Sequence, residues 1–176
     1  YVICGAGSSG CVIATRLIEQ NKGTVLLLEA GGDDKALCIK MPAGVSEAIL
    51  TKTWDYTTEP DVNTRNRRMT CAQGKVLGGS SSVNGMIYLR GHREDYDVWA
   101  DKYECKGWSF NDLLPYFKKS EGNESLAGEY HGTEGLLSVS ENRYRHPLSM
   151  DFIRAGQELG LPYVTDFNAT NQQGVG

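Results

Sequence analysis

Apolar residues recur along this chain in short, separate rhythms. Tyr1 to Cys4 reads as the end of a buried strand. After Gly7, Cys11, Ala14, Leu17 and Ile18 recur at helical spacing until Lys22-Gly23 interrupts them, and residues 24–28 form a second apolar run. Strand, helix and strand in close succession predict a βαβ unit whose parallel strands are joined by a right-handed crossover. From Ala30 to about Gly79 the rhythm dissolves into Gly, Pro and Asp, leaving only short β-like runs such as residues 54–58. Further helices are predicted at three places: over residues 94–102; after a Ser109 cap, through Leu113, Leu114 and Phe117; and from Pro147, with Leu148, Phe152, Ala155 and Leu159 on one face and Gly160 as the stop. Pro115 should kink the second of these unless it falls in the first turn. The fold class expected is α/β, a Rossmann-like mainly parallel sheet over residues 1–90, followed by a mixed α+β region over residues 91–176.

Composition narrows this. With 40% hydrophobic and 23% charged residues, the chain is neither disordered, collagen-like nor a coiled coil. A net charge of −4 argues against a general nucleic-acid binder, since the phosphate backbone rewards clustered positive charge. No apolar run approaches the roughly 20 residues that cross a bilayer, so no transmembrane segment is expected, and a cytoplasmic or peripheral membrane location is favoured. The chain opens on Tyr1, without Met and inside an apolar run, and stops at Gly176 in loop-like sequence. An incomplete chain is therefore expected, with the question of a leader peptide open. Five cysteines without a C-x-x-C pair suggest buried reduced thiols rather than a metal site. Two glycosylation triplets begin at Asn123 and Asn168, a pattern short enough to arise by chance. Glycine stands out, at 21 of 176 residues, against an average near 7%. Such an excess marks tight turns or close backbone approach to a ligand.

The first glycine cluster, Gly5-Ala6-Gly7-Ser8-Ser9-Gly10, fits G-x-G-x-x-G directly after a strand and at the opening of a helix. Gly5 permits the tight turn, Gly7 lets backbone approach a pyrophosphate, and Gly10 lets helix and strand pack closely. The unpaired N–H groups at Ser8 and Ser9 and the positive end of the helix dipole then face the phosphates. Glu29, at the end of the second strand, is placed to accept hydrogen bonds from ribose hydroxyls and to repel a 2′-phosphate. The fingerprint alone leaves FAD and NAD open. Ala30-Gly31-Gly32, a side-chain-poor stretch where an adenine could lie, leans toward a flavin.

The second cluster runs from Gly74 to Gly91 and contains Gly78-Gly79-Ser80-Ser81-Ser82-Val83-Asn84-Gly85. It reads as a loop leading into a helix, able to hold an anion or the polar edge of a ring, or else as a Ser-rich structural cap. No serine here sits in G-x-S-x-G, so a hydrolase nucleophile is not supported.

These residues resemble the glucose-methanol-choline (GMC) flavoprotein oxidoreductases. The likeness runs through the fingerprint with Glu29-Ala30-Gly31-Gly32, Trp54-Asp55-Tyr56, Thr58-Glu59-Pro60, the whole of 74–91 with Asp95 and Trp99, Gly107-Trp108-Ser109, Leu114-Pro115-Tyr116-Phe117, His131-Gly132 and Gln173-Gly174-Val175-Gly176. Arg67-Arg68-Met69, Ser80-Ser81-Ser82 and Arg90-Gly91 look most like the choline dehydrogenase and acceptor-linked alcohol dehydrogenase branch. The resemblance implies that Gly5, Gly7, Gly10 and Glu29, with Ser8, Ser9 and Ala30 beside them, hold the ADP half of FAD. It implies that Val76, Gly79 and Ser80, then Asn84, Gly85, Met86 and Ile87, run along the pyrophosphate and flavin ring. Val83 stands where covalent members carry a flavin-linking His, so noncovalent FAD is expected.

The resemblance further implies oxidation of a primary alcohol, choline-like or aliphatic, to an aldehyde, with hydride transfer to flavin N5 and a C-terminal His as base. His92, His131 and His146 do not match that His, which is expected beyond this chain; here they are expected to be surface or structural. Electron acceptors consistent with the family are a quinone, a dye or oxygen. An oxidase, a mandelonitrile-type lyase, and a nucleotide-binding module without turnover remain alternatives. A NAD-dependent dehydrogenase is weaker, because it has no use for the 74–91 cluster. An isolated chain of this kind is expected to expose a sheet edge and apolar surface.

Overall fold

Val2–Cys4 (β1) and Leu26–Leu28 (β2) pair in parallel, with Ile3 opposite Leu27, and are bridged by the helix Ser8–Glu19 (α1). The predicted βαβ unit is thus present, with strands shorter than the apolar runs that signalled them. The computed structural model describes all of residues 1–176 and resolves into two compact units, Tyr1–Ile87 and Tyr88–Gly176. Strands that read as buried turn out to be only partly covered. Val2, Leu26 and Leu28 each expose about half of their surface or more, as do Val12, Ile13 and Ile18 on α1. Parallel strands are normally covered on both faces, and a pair with no third strand offers little to bury them.

The region after Ala30, expected to be mostly punctuation, contains two short helices, Leu37–Lys40 (α2) and Val45–Thr51 (α3), and a hairpin of Thr53–Thr57 (β3) with Thr70–Gly74 (β4). The hairpin is antiparallel and in register, with Trp54 opposite Gln73 and Tyr56 opposite Cys71. The tip between the strands is closed by Asp61, whose side chain accepts from Asn63 N–H and whose carbonyl accepts from Thr64 and Asn66 N–H. Cys38, Ala48, Val76 and Val83 form the small buried cluster that joins α2 and α3 to the second glycine cluster.

The second unit carries Arg93–Asp101 (α4), Phe110–Ser120 (α5), the parallel pair Glu121–Asn123 (β5) and Leu137–Val139 (β6), and Pro147–Glu158 (α6). Each long helix begins at a side-chain cap. His92 Nδ1 accepts from Glu94 N–H while Asp95 accepts from His92 N–H, and Ser109 and Asp112 cap each other reciprocally. Pro115 lies inside α5 rather than in its first turn, so it gives no N–H to Asn111, yet the helix runs on to Ser120.

The structure departs from the sequence pattern at several points. Residues 84–92 form no helix; only a single 3-10 turn, Gly79–Ser82, precedes the irregular stretch. Asn84 Oδ1 captures Met86 N–H and Met86 takes φ +60°, a local turn that competes with helix formation. On α6 the apolar face read from the sequence is exposed, with Leu148, Phe152 and Leu159 all at least two thirds accessible. The helix packs through Gly156 instead, where a Cβ would come 2.9 Å from Val175 Cγ1. The cysteines also differ from expectation. All five are free, but only Cys38 is buried, because Cys4, Cys71 and Cys105 sit on short exposed strands and a surface turn.

Candidate functional site

The first unit holds a cleft of about 780 Å³ lined by Gly5, Gly7, Ser8, Ser9, Gly10, Glu29, Ala30, Gly79 and Ser80, together with Cys4, Leu28, Trp54, Gln73 and Gly74. That is within the range of small-molecule and cofactor pockets. The two glycine clusters, far apart in sequence, therefore meet in one wall. Gly78 N–H donates to Ala6 O at 2.7 Å, and a Cβ on Gly79 would come 2.8 Å from Gly7 Cα, so the loops touch backbone to backbone.

Each fingerprint glycine can be assigned its own reason. Gly5 has φ +95°, a left-handed turn that disfavours any side chain, and a Cβ on Gly10 would collide with the Gly5 carbonyl. Gly7 is different, since a Cβ there would meet nothing closer than Gly79 Cα at 3.9 Å. No packing within the chain forbids a side chain at Gly7; what it would occupy is the cleft. The N-terminus of α1 beside it has no side-chain cap and no acidic residue in its first turn, in contrast to α4 and α5. Its free N–H groups and the helix dipole are open to an anion.

Glu29 is engaged already. Its Oε2 accepts Ala6 N–H at 2.8 Å and its Oε1 accepts Gly31 N–H at 2.9 Å. The Gly31 and Ala6 N–H groups, helped by Ala30 and opposed by partial burial, hold its carboxyl below the usual range. The carboxylate thus ties the fingerprint loop to the end of β2 while keeping further lone pairs for hydroxyl donors. Gly31 has no room for a side chain, because a Cβ would run into the Lys75–Val76 backbone.

Other candidates fall outside the cleft. Val76 is completely buried in the small core, and Asn84, Gly85, Met86 and Ile87 form an exposed stretch, with Ile87 83% accessible. Of the three serines only Ser80 lines the cleft, accepting Gly74 N–H; Ser81 and Ser82 donate back to Gly78 O and Leu77 O and so brace their own turn. Trp54, Gln73 and Gly74 were not anticipated as lining residues. Trp54 lay in the β-like run at 54–58 and in the Trp54-Asp55-Tyr56 motif, and Gly74 opened the second glycine cluster, but their place on the cleft depends on the hairpin register. Trp54 is held by Lys75 Nζ, 4.1 Å from its ring centroid, and by Tyr56 stacked at 5.8 Å.

The chain is similar over residues 1–176 to the family model described as GMC oxidoreductase. It is 43% identical over its whole length to an oxygen-dependent choline dehydrogenase of Rhizobium etli and 44% identical to one of Vibrio vulnificus, spanning 32% of each. The chain belongs to the GMC oxidoreductase family. Among solved structures it is similar to pyridoxine 4-oxidase from Mesorbium loti, with a TM-score of 0.87, 36% identity, and coverage of 95% of this chain and 33% of that one. It is also similar to a FAD-dependent oxidoreductase from Chaetomium thermophilum, with a TM-score of 0.84, 32% identity, and coverage of 98% and 32%. The Rossmann-like, mixed α/β fold expected from the sequence is that of this GMC N-terminal domain, and the chain spans about a third of the curated relatives it matches. FAD, the cofactor expected from the sequence, is the one that the family supports. The residues fit it: a bare helix N-terminus, a glycine whose side chain would fill the cleft, and a carboxylate at the end of β2 converge on one cavity. No helix is long and apolar enough to cross a membrane.

Proposed function

We propose that residues 1–90 hold FAD noncovalently in this cleft, and that residues 91–176 form part of the substrate domain of an oxidoreductase acting on CH–OH groups. The substrate is a primary alcohol, choline-like or aliphatic, converted to an aldehyde. The observation that carries this reading is the meeting of the α1 N-terminus, Glu29 and Gly79-Ser80 around one cleft, in a chain 43% identical to a protein named as a choline dehydrogenase. Bound FAD supplies a hydride acceptor at N5, chemistry that no side chain provides. The chain's own residues bind and orient it. The N–H groups of Ser8 and Ser9 would hold the pyrophosphate, Glu29 would accept from the ribose and disfavour a 2′-phosphate, and Asn84 to Ile87, outside the cleft itself, would contact the flavin ring.

Noncovalent attachment is supported by Val83, an aliphatic side chain 7% exposed in the core cluster, which has no atom to link to a flavin. The proton of the substrate hydroxyl is taken by a base outside residues 1–176. His92 and His146 accept helix N–H groups and His131 lies between two carboxylates, so each already has a structural partner. The exposed faces of β1 and β2 are where further strands of the longer protein pack. Oxygen as the electron acceptor is favoured over a quinone or dye by the oxidase names among the structural neighbours. The enzyme acts in the cytoplasm or at a membrane surface.

The test is the visible spectrum of the full-length protein under anaerobic conditions. Flavin bands that bleach on addition of choline or a simple primary alcohol support the proposal; a colourless protein that binds NAD overturns it.

A further inference from the structure

In the second unit, four charged side chains distant in sequence meet in a buried cluster. Arg90 Nη2 donates to Glu121 Oε2 at 2.5 Å, His131 Nδ1 lies 2.8 Å from Glu121 Oε1, and His131 Nε2 lies 2.8 Å from Asp166 Oδ2. Arg90 and Glu121 are at most 3% exposed at their side chains, His131 5% and Asp166 20%. The remaining bonds are all to this framework. Arg90 Nη1 donates to Tyr130 O, Glu121 accepts from Asn123 Nδ2 and Gly132 N–H, and Asp166 Oδ1 accepts Asn168 N–H. Asn168 in turn accepts Arg90 N–H and donates to Tyr88 O, while Gln172 reaches Arg90 O.

We propose that His131 is held as a buried imidazolium, a proton-dependent clamp that fixes Tyr88–Arg90 to the β5 region and the 166–172 loop.

The argument is one of donors and charge. A neutral imidazole has one N–H, so against two carboxylates one ring nitrogen would face an acceptor with its own lone pair. Only the doubly protonated ring donates to both. Its charge also balances the cluster, since Arg90 and His131 together match Glu121 and Asp166, whereas a neutral ring leaves one buried negative charge uncompensated. The proton rests on the ring rather than on Asp166, because the Asp166 carboxylate is partly solvated and accepts Asn168 N–H, both of which favour its charged form. Lys118, the other nearby cation, is directed at Gly128 O.

The titration follows the same sense. Burial works against the charged ring, but hydrogen bonds to Glu121 and Asp166 outweigh it and raise His131 above its ordinary value. Burial likewise opposes ionisation of Glu121, and the bonds from His131, Asn123 and Gly132 outweigh it and lower its carboxyl. Because the folded His131 value is raised, its stabilisation is complete below about pH 6.5 and is lost as pH rises through the folded value. The Glu121 contribution is complete above about pH 4.3 and is lost as pH falls through its lowered value.

The test is made on the full-length protein. In Asp166→Asn the amide can donate to Nε2 of a neutral ring, so the cluster no longer needs the proton. The thermal midpoint of the wild type should fall more steeply than that of Asp166→Asn as pH rises from 7 toward 9.5; equal alkaline slopes overturn the proposal. Neutron diffraction of wild-type crystals near pH 6.5, the ordinary imidazole value, decides the matter even if the variant does not fold. Deuterons on both Nδ1 and Nε2 support the clamp, while a singly protonated ring or a deuteron on Asp166 refutes it.

Discussion

The contact between the two glycine clusters can be tested with one methyl group. Gly79 has φ +57°, and a Cβ there would come 2.8 Å from Gly7 Cα, against an optimum near 3.5–4.0 Å for two carbons. The left-handed conformation costs an L-residue about 1–2 kcal/mol, and forcing an atom into a filled space costs about 1–3 kcal/mol. Gly79→Ala therefore carries about 2–5 kcal/mol of strain in the native cleft. The free protein relieves it by moving Gly79 away from Gly7, which opens the wall that the cofactor needs closed. Restoring the wall then draws on binding energy, so the dissociation constant for FAD should rise by roughly 30-fold or more. Fluorescence titration of FAD into the deflavinated full-length protein measures this directly. Gly85→Ala is the control for the fold, because a Cβ there meets no atom within 4 Å and its φ is not left-handed; its stability should lie within about 0.5 kcal/mol of wild type. An unchanged FAD affinity in Gly79→Ala would refute the argument that the two loops form one wall.

Other outcomes follow from the same geometry. Glu29→Gln replaces an acceptor-only carboxylate by an amide that must turn a donor toward Ala6 or Gly31 N–H, so the protein without cofactor should melt lower at pH 7. Because the Glu29 carboxyl is lowered in the fold, wild type and variant should converge as pH falls below about 4, which a series of thermal melts would show. Ser109→Ala removes one half of the reciprocal cap on α5 and should destabilise by about 0.5–2 kcal/mol with no change in FAD affinity, read from denaturant unfolding alongside flavin titration.

What the sequence revealed, and what it hid, depends on how local the cause is. The βαβ start was legible because short apolar rhythms, the Lys22-Gly23 break between them and three spaced glycines each act within a few residues. The starts of α5 and α6 were legible for the same reason, since Ser109 and Pro147 each act on their own first turn, whereas the His92 cap of α4 went unread. On α6 the bulky residues Phe152 and Leu159 carry the apolar pattern, while the close contact is made by Gly156, which periodicity ignores. The 84–92 stretch looked like a helix because Asn84's capture of Met86 N–H, and Asn168's hold on Tyr88 and Arg90, are invisible to composition. The half of the site formed by Trp54, Gln73 and Gly74 depends on a hairpin register closed over a long tip, and the His131 cluster gathers residues from positions 90 to 166. Neither juxtaposition is visible in a short motif.

The central claim is that this chain builds a cleft for noncovalent FAD. Denaturing the purified full-length protein with acid, and assaying supernatant and pellet for flavin, tests it most directly. The account predicts close to one FAD per chain in the supernatant. A pellet that retains the flavin would contradict noncovalent attachment at Val83, and a protein without flavin in either fraction, unable to take up added FAD, would contradict the site itself.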